Sequence, residues 1–164
     1  MRLIVMLLSL AVCAQVWAGE IPSPAGKVLL TVSGNIENTN EDGNAVFDIA
    51  SLEKLGTVSF QTTSPWYNGR TTFTGIPLQK LMDYVGAKGS VVKVTALNDY
   101  TTVIPLSDFK KYNTILALKI NGEYMRIRDR GPLFIVYPYD SMPELNNQIF
   151  YSRSAWQVSR MNIE

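Results

Sequence analysis

Apolar residues along the chain recur mainly at every second position, which is the period of a β-strand with one buried face. Strands are predicted at residues 27–32, 57–62, 70–74, 91–97, 101–104, 115–120, 123–127 and 133–137, with one or two more within 148–163. Asn121-Gly122 joins two of these strands and favours a two-residue hairpin, because both turn positions need a positive φ. The segment 133–137 is apolar throughout, which predicts a central strand buried on both faces.

Three short segments show the spacing of a helix instead. The clearest lies between Pro77, which suits a first helical turn, and Gly86, which suits a helix end. Its inward positions are Leu78, Leu81, Met82 and Val85. Asp48 is expected to cap a second helix that ends at Gly56, and Ser107 to cap a single turn. Without a repeat or a linker, the pattern predicts one α+β domain, mostly β, with two or three short helices.

The first 18 residues form a secretory signal in the usual order of parts. Arg2 supplies the positive start, residues 3–12 the apolar segment, and Val16-Trp17-Ala18 the small residues before cleavage at Gly19. The exported chain is then a single domain at 19–164, expected in the periplasm or outside the cell and not inserted in the membrane; the signal alone does not distinguish between the two locations. Two alternatives remain: an uncleaved anchor helix, or a lipoprotein modified at Cys13.

Composition excludes several kinds of chemistry. The chain has no His and one Cys, so catalytic triads, His-ligated zinc and intrachain disulfides are excluded. Loss of the signal would also remove that cysteine and Arg2, leaving 14 basic against 14 acidic residues. A neutral chain without a basic tail is a poor binder of nucleic acid. No constellation of catalytic or metal-ligating residues is evident.

Several polar and aromatic segments are candidates for ligand binding. One includes Thr63, Ser64, Trp66 and Arg70, and its alternative interpretation is a hairpin-like connection whose Trp packs on the core. Another is Asn98-Asp99-Tyr100, and its alternative is a turn in which Asn and Asp bond their own backbone.

Two further candidates are rich in arginine. In a strand, Tyr124, Arg126 and Arg128 would share one face, and Asp129 and Arg130 follow directly. These guanidinium groups suit an anion or a carbonyl, although a solvated strand face is the commoner outcome. In residues 151–157, Arg153 is expected to point to a pocket and Trp156 to the core.

The order of the segments resembles a known family. Residues 73–78 lead into the helix ending at 86–87, followed by Ala96-Leu97-Asn98-Asp99-Tyr100, then 115–117 and 121–122. Residues 128–138 read RDRGPLFIVYP, and Trp156-Gln157 comes near the end. This order resembles the oxidoreductase molybdopterin-binding domain, the catalytic fold of sulfite oxidases, and in particular its small exported single-domain branch. The resemblance covers roughly residues 27–163 and implies a sulfite oxidase-like, mostly β fold.

One departure from the family pattern changes the expected function. The resemblance implies that molybdenum is held by a cysteine thiolate in the segment that here reads Gln61-Thr62-Thr63-Ser64. A hydroxyl is a poor substitute for that soft ligand, so we expect a pterin bound non-covalently and no molybdenum. The small exported relatives resemble periplasmic pterin-binding regulators of membrane diguanylate cyclases or phosphodiesterases. The chain is therefore expected to sense a ligand, with a molybdopterin-dependent oxidoreductase or its accessory subunit as the alternative.

A pterin makes specific demands on such a site. It needs aromatic faces for stacking, which Trp66 or Tyr100 could supply. It needs a carboxylate for its 2-amino and N3 donors, from Asp99 or Asp129. It also needs donors to its carbonyl group, from Arg128, Arg130 or Arg153. The sequence leaves the choice within each role open.

Overall fold

The computed structural model describes residues 21–164, so the predicted signal at 1–18 lies outside the described residues. Within that range no helix is both long and apolar enough to span a membrane. The ten strands there are β1 (Leu30–Gly34), β2 (Ala45–Phe47), β3 (Val58–Ser64), β4 (Tyr67–Pro77), β5 (Val91–Ala96), β6 (Thr101–Pro105), β7 (Ile115–Ile120), β8 (Glu123–Tyr124), β9 (Phe134–Val136) and β10 (Val158–Ile163). The four α-helices there are α1 (Ile49–Lys54), α2 (Leu78–Val85), α3 (Ser107–Lys111) and α4 (Gln148–Arg153).

The strands form two five-stranded sheets, which confirms the prediction of a mostly β, α+β fold. The first sheet has the order β2-β1-β10-β5-β6, and β1 and β10 are its parallel pair. The second has the order β3-β4-β7-β8, with β9 also paired to β7. The core lies among the buried apolar faces of these sheets and helices, and its largest fully buried side chains include Phe47, Phe73, Phe134 and Tyr137.

The two best-defined helices begin and end as predicted. Asp48 caps α1 in a capping box, in which its carboxylate accepts from the Ser51 N–H at 2.7 Å. Helix α2 buries one apolar stripe and ends at Gly86, whose φ of 64° is the left-handed conformation that glycine adopts most readily. The prediction for α3 was wrong in one detail. Ser107 is its first residue, and Leu106 precedes it without a side-chain cap.

The Asp48 cap makes a testable contribution to acid stability. Hydrogen bonds from the Ser51 backbone, the Ser51 side chain and the Gly26 backbone lower the pKa of Asp48 from 3.8 to about 2. Because the folded-state pKa is lowered, this stabilisation is complete above the unfolded value and is lost as the pH falls through about 2. We expect Asp48→Asn to lower the melting temperature at pH 6, and the difference from wild type to shrink towards pH 2. A constant difference, or the same pH profile for the exposed-turn control Asp42→Asn, would contradict this.

Two strand predictions needed correction. Segment 148–163 holds one strand preceded by α4, because Asn147 caps a helix by accepting from the Ile149 N–H at 2.8 Å. The second strand of the Asn-Gly hairpin, β8, has only two residues. The prediction for 133–137 is confirmed, because β9 is buried, pairs with β7 on one side and bonds to segment 155–158 on the other, for example Ile135 N–H to the Ala155 oxygen. Strand β2 was not predicted, since three residues are too short to show a period.

Candidate functional site

A cleft of about 340 Å³ opens between the β3–β4 hairpin, the β5–β6 turn and α4 with the residues after it. We call it the aromatic cleft. Its lining residues are Pro65, Trp66, Asn98, Tyr100, Gln148, Tyr151, Ser152, Ser154, Ala155 and Trp156. The size is at the lower end of the range for small-molecule sites, which usually hold a few polar groups among apolar walls.

Trp66 stands at the tip of the β3–β4 hairpin and forms one wall of the cleft. Ser64 pairs with Tyr67 across the ladder, which leaves Pro65 and Trp66 as the two turn residues. The segment is therefore the hairpin that the alternative interpretation foresaw. The indole ring is half-buried, lies edge-on to Phe134 at 5.3 Å and to Trp156 at 5.8 Å, and also lines the cleft. Trp66 thus both packs on the core and presents surface to a ligand.

The opposite wall comes from α4 and the residues that follow it. Tyr151 and Trp156 line the cleft, and both rings lie edge-on to Trp66. The sequence pattern predicted Trp156 in the core and Arg153 at a pocket. Trp156 does pack against the core beside Phe134 and also lines the cleft, whereas Arg153 does not line it. Arg153 is the last residue of α4, so a helix and not a strand sets the direction of its side chain.

Arg153 instead pairs with a buried carboxylate. Its guanidinium donates to Asp108 Oδ2 at 2.8 Å, and the Tyr137 hydroxyl donates to the same oxygen at 2.9 Å. The Asp108 side chain is only 9% exposed, and the cation and the hydrogen bond together offset the cost of burying its carboxylate. Burial, then the Asp108 charge, raises the pKa of Tyr137 far above its usual value, so this phenol remains a donor. The cluster is structural, and Arg153 is not among the lining residues of the cleft.

The second group of candidates, Asn98-Asp99-Tyr100 in the β5–β6 turn, is split between two surfaces. Asn98 and Tyr100 line the aromatic cleft, and the Tyr100 hydroxyl donates to the Ser152 oxygen at 2.7 Å, which connects the turn to α4. Asn98 Oδ1 accepts from the Tyr100 N–H at 3.2 Å, as in the turn interpretation. Asp99 has a φ of 63° and lines a different groove, with its carboxylate 3.6 Å from Arg160. The structure therefore does not bring Asp99 to the cleft.

The remaining residues of the first group surround Asp140. Thr63 donates to its carboxylate through both its hydroxyl and its N–H, and Arg70 Nε lies 3.7 Å away. These contacts, with the Thr63 hydroxyl first, lower the pKa of Asp140. Ser64 differs, because its hydroxyl is buried and has no hydrogen-bond partner within residues 21–164. None of Thr63, Ser64 and Arg70 is among the lining residues.

The arginine-rich group forms a tight turn rather than a strand face, so that prediction was wrong. Residues Ile127–Asp129 form a 3₁₀ turn, closed by Arg126 Nε donating to the Asp129 carboxylate at 2.8 Å. Arg128 is exposed. The Arg130 guanidinium lies over the rings of Tyr67 at 5.1 Å and Trp156 at 5.3 Å. Arg130 therefore supports a wall of the cleft without lining it.

Every residue that lines the aromatic cleft is uncharged at neutral pH. The walls offer aromatic rings, and the side-chain amides of Asn98 and Gln148 supply donors and acceptors. The Ser152 and Ser154 hydroxyls, in contrast, already donate to backbone oxygens of α4.

Of the eleven candidates from the sequence, the structure brings Trp66, Asn98 and Tyr100 together at this cleft. Sequence reasoning missed Gln148, and within the candidate segment 151–157 it assigned Arg153 to the pocket instead of Tyr151, Ser152 and Ser154. The one available signal for the helix there was the cap at Asn147.

The fold and the cleft define a small α+β domain with an aromatic-walled concave site beside its second sheet. Residues 31–140 match the oxidoreductase molybdopterin binding domain, about two thirds of the chain. The chain therefore belongs to the oxidoreductase molybdopterin binding domain family. No curated protein gives a significant match. Most of the lining residues follow position 140, so one wall of the cleft lies beyond the matched region.

The residues present fit the ring of a pterin better than a complete molybdenum cofactor. Within residues 21–164 no group of three or more His, Cys, Asp or Glu side chains is placed to hold a metal ion. The segment 61–64 offers hydroxyls where the family resemblance implies a thiolate, and the buried Ser64 hydroxyl is a hard, neutral donor. The uncharged cleft also lacks a cation to face a phosphate. This donor set does not match the metal and phosphate parts of the cofactor.

Proposed function

We propose that the chain is an exported, non-catalytic pterin-binding protein that signals ligand occupancy to a membrane receptor. The observation that carries the proposal is the aromatic cleft itself: a site of about 340 Å³ with aromatic walls and only neutral polar groups, in a chain of a molybdopterin-binding family. Export rests on the sequence of residues 1–18. The receptor, such as a diguanylate cyclase or phosphodiesterase with a periplasmic domain, rests on the family resemblance.

The lining residues have distinct roles in this proposal. Trp66 and Trp156 stand edge-on to each other, so a flat bicycle stacks on one of these rings and meets the other at an angle; the stacked face is worth about 0.5–1.5 kcal/mol beyond buried area. The Asn98 and Gln148 side-chain amides provide both a donor and an acceptor, which complements the donor and acceptor edge of the pterin. An amide thus replaces the carboxylate that was expected from Asp99 or Asp129.

The alternative function is a molybdopterin-dependent oxidoreductase or its accessory subunit. Family membership favours it, because the family's enzymes use this fold for that chemistry. The two functions differ in one measurable property, which is the metal content of protein purified from its own host.

Tryptophan fluorescence gives a direct test of pterin binding. The chain has three Trp residues, and the two outside the predicted signal, Trp66 and Trp156, both line the cleft. We expect saturable quenching by pterin or its tetrahydro form, with calorimetry giving one site per chain. Absence of saturation with both forms would contradict the proposal.

Substitutions at two neighbouring positions of the β5–β6 turn test which of its side chains contacts the pterin. Asn98→Ala removes a lining amide and is expected to weaken pterin binding by at least tenfold, because the partner groups lose hydrogen bonds worth about 1–3 kcal/mol. Asp99→Asn changes a side chain that is 89% exposed and is expected to leave the affinity within twofold. Calorimetric titration of both variants with pterin checks this. A loss of affinity greater than twofold in Asp99→Asn would show that the Asp99 carboxylate belongs to the binding site.

A further inference from the structure

A second concave surface lies beside the aromatic cleft and shares structural elements with it. This groove has a volume of about 400 Å³ and is lined by residues from β1, β10 and the loops around them. We call it the Leu97–Ile127 groove. Its apolar and charged surface is supplied mainly by Lys27, Val28, Leu97, Asp99, Ile127 and Arg160.

The groove combines exposed apolar side chains with positive charge. Ile127 is 59% exposed and Leu97 is 52% exposed, and they share one groove rather than standing singly on the surface. Lys27 and Arg160 line the groove against the single carboxylate of Asp99. Apolar anchors with arginine at the edge are typical of protein interfaces, and the excess of cations complements an acidic partner.

Gln157 joins the two apolar side chains of the groove to the cleft. Its backbone oxygen accepts from the Leu97 N–H at 2.9 Å, and its side-chain amide donates to the Ile127 oxygen at 2.9 Å. The preceding residue, Trp156, forms a wall of the aromatic cleft. A change in the position of Trp156 therefore acts on its neighbour Gln157, which is hydrogen-bonded to both Leu97 and Ile127.

The β5–β6 turn makes a second connection. Successive residues alternate between the two surfaces, with Leu97 and Asp99 at the groove and Asn98 and Tyr100 at the cleft. A ligand that contacts Asn98 therefore contacts the same short turn that presents Leu97.

We propose that the Leu97–Ile127 groove is a docking surface for an acidic protein segment with apolar anchor side chains, and that occupancy of the aromatic cleft changes its affinity. The docking proposal depends only on the apolar and charged side chains of the groove. The coupling to the cleft also depends on the proposed pterin function. Coupling between sites usually amounts to about 5- to 100-fold in affinity.

Peptide selection tests the docking surface without knowledge of the natural partner. A random peptide library is selected on the purified full chain, and one enriched synthetic peptide is then titrated. We expect enriched sequences that combine Asp or Glu with Leu, Ile or Phe. Ile127→Ser and Arg160→Gln should each weaken the peptide by at least tenfold. Val103→Ser, a matched substitution of a half-exposed residue on β6, should leave the affinity within twofold.

Three outcomes would overturn the docking proposal. The first is that no peptide, or only basic peptides, are enriched. The second is that the Ile127 and Val103 variants bind the peptide equally. The third is that the chain self-associates and Ile127→Ser abolishes this, which makes a second copy of the chain the occupant.

The coupling is tested by the same titration with saturating pterin. We expect the peptide dissociation constant to change at least fivefold in wild type and by a smaller factor in Gln157→Asn, which breaks the connection to Ile127 but leaves the β5–β6 turn in place. Asn tolerates the φ of 55° at this position, but its shorter side chain does not reach the Ile127 oxygen. An equal peptide affinity with and without bound pterin overturns the coupling. If pterin does not bind at all, the proposed function is wrong. The docking proposal is still decided by the peptide titration without pterin.

Discussion

Arg153→Met is expected to lower the free energy of unfolding by about 3–5 kcal/mol, because it leaves a buried carboxylate without its cation. The Asp108 side chain is 9% exposed and would keep only the Tyr137 hydroxyl at 2.9 Å. Chemical denaturation at neutral pH, monitored by circular dichroism, measures the loss.

The matched control is the double variant Asp108→Asn/Arg153→Met. Removing both charges avoids an unpaired buried ion, so the double variant should be more stable than Arg153→Met alone. A double variant as unstable as the single one would show that packing of the arginine stem, and not its charge, stabilises α4. The ion pair with Asp108 would then no longer explain the position of Arg153.

Trp66→Ala is expected to reduce both stability and pterin affinity, because the ring contacts the core and lines the cleft. Loss of its contacts with Phe134, Tyr151 and Trp156 should lower the free energy of unfolding by about 3 kcal/mol. Loss of a stacking surface and its buried area should weaken pterin by about 30- to 150-fold. Calorimetry well below the melting temperature of the variant separates the two effects.

Phe134→Leu provides the control for stability alone. Phe134 is fully buried, lies edge-on to Trp66 at 5.3 Å and does not line the cleft. We expect it to destabilise the fold while the affinity per folded molecule stays within threefold. Equal affinity in wild type and Trp66→Ala would assign Trp66 to the core alone.

Periodicity predicted the elements whose stabilising contacts are local. Helix α2 follows from its apolar spacing between Pro77 and Gly86, and the Asn121-Gly122 hairpin follows from turn geometry. Helix α4 also depends on a distant contact, between Arg153 and Asp108 across 45 positions. A window of neighbouring residues carries no information about such a contact, and the segment that holds α4 was predicted as a strand.

The same distinction explains which site residues the sequence revealed. Trp66, Asn98 and Tyr100 are conspicuous because each stands in a polar or turn segment, and all three line the cleft. Asp99 is adjacent to two of them, but its positive φ places it at the Leu97–Ile127 groove instead. Arg130 and Arg153 suggest anion binding because of their charge. In the structure, Arg130 lies over two aromatic rings, and Arg153 forms an ion pair with a buried carboxylate.

The aromatic cleft is proposed to bind a pterin without a metal, and this can be measured directly. The most direct measurement is mass spectrometry of the small molecules released from protein purified from its own host, with molybdenum analysis of the same sample. We predict about one pterin per chain and molybdenum far below one atom per chain. About one molybdenum atom per chain, or a released ligand that is not a pterin, would contradict this function.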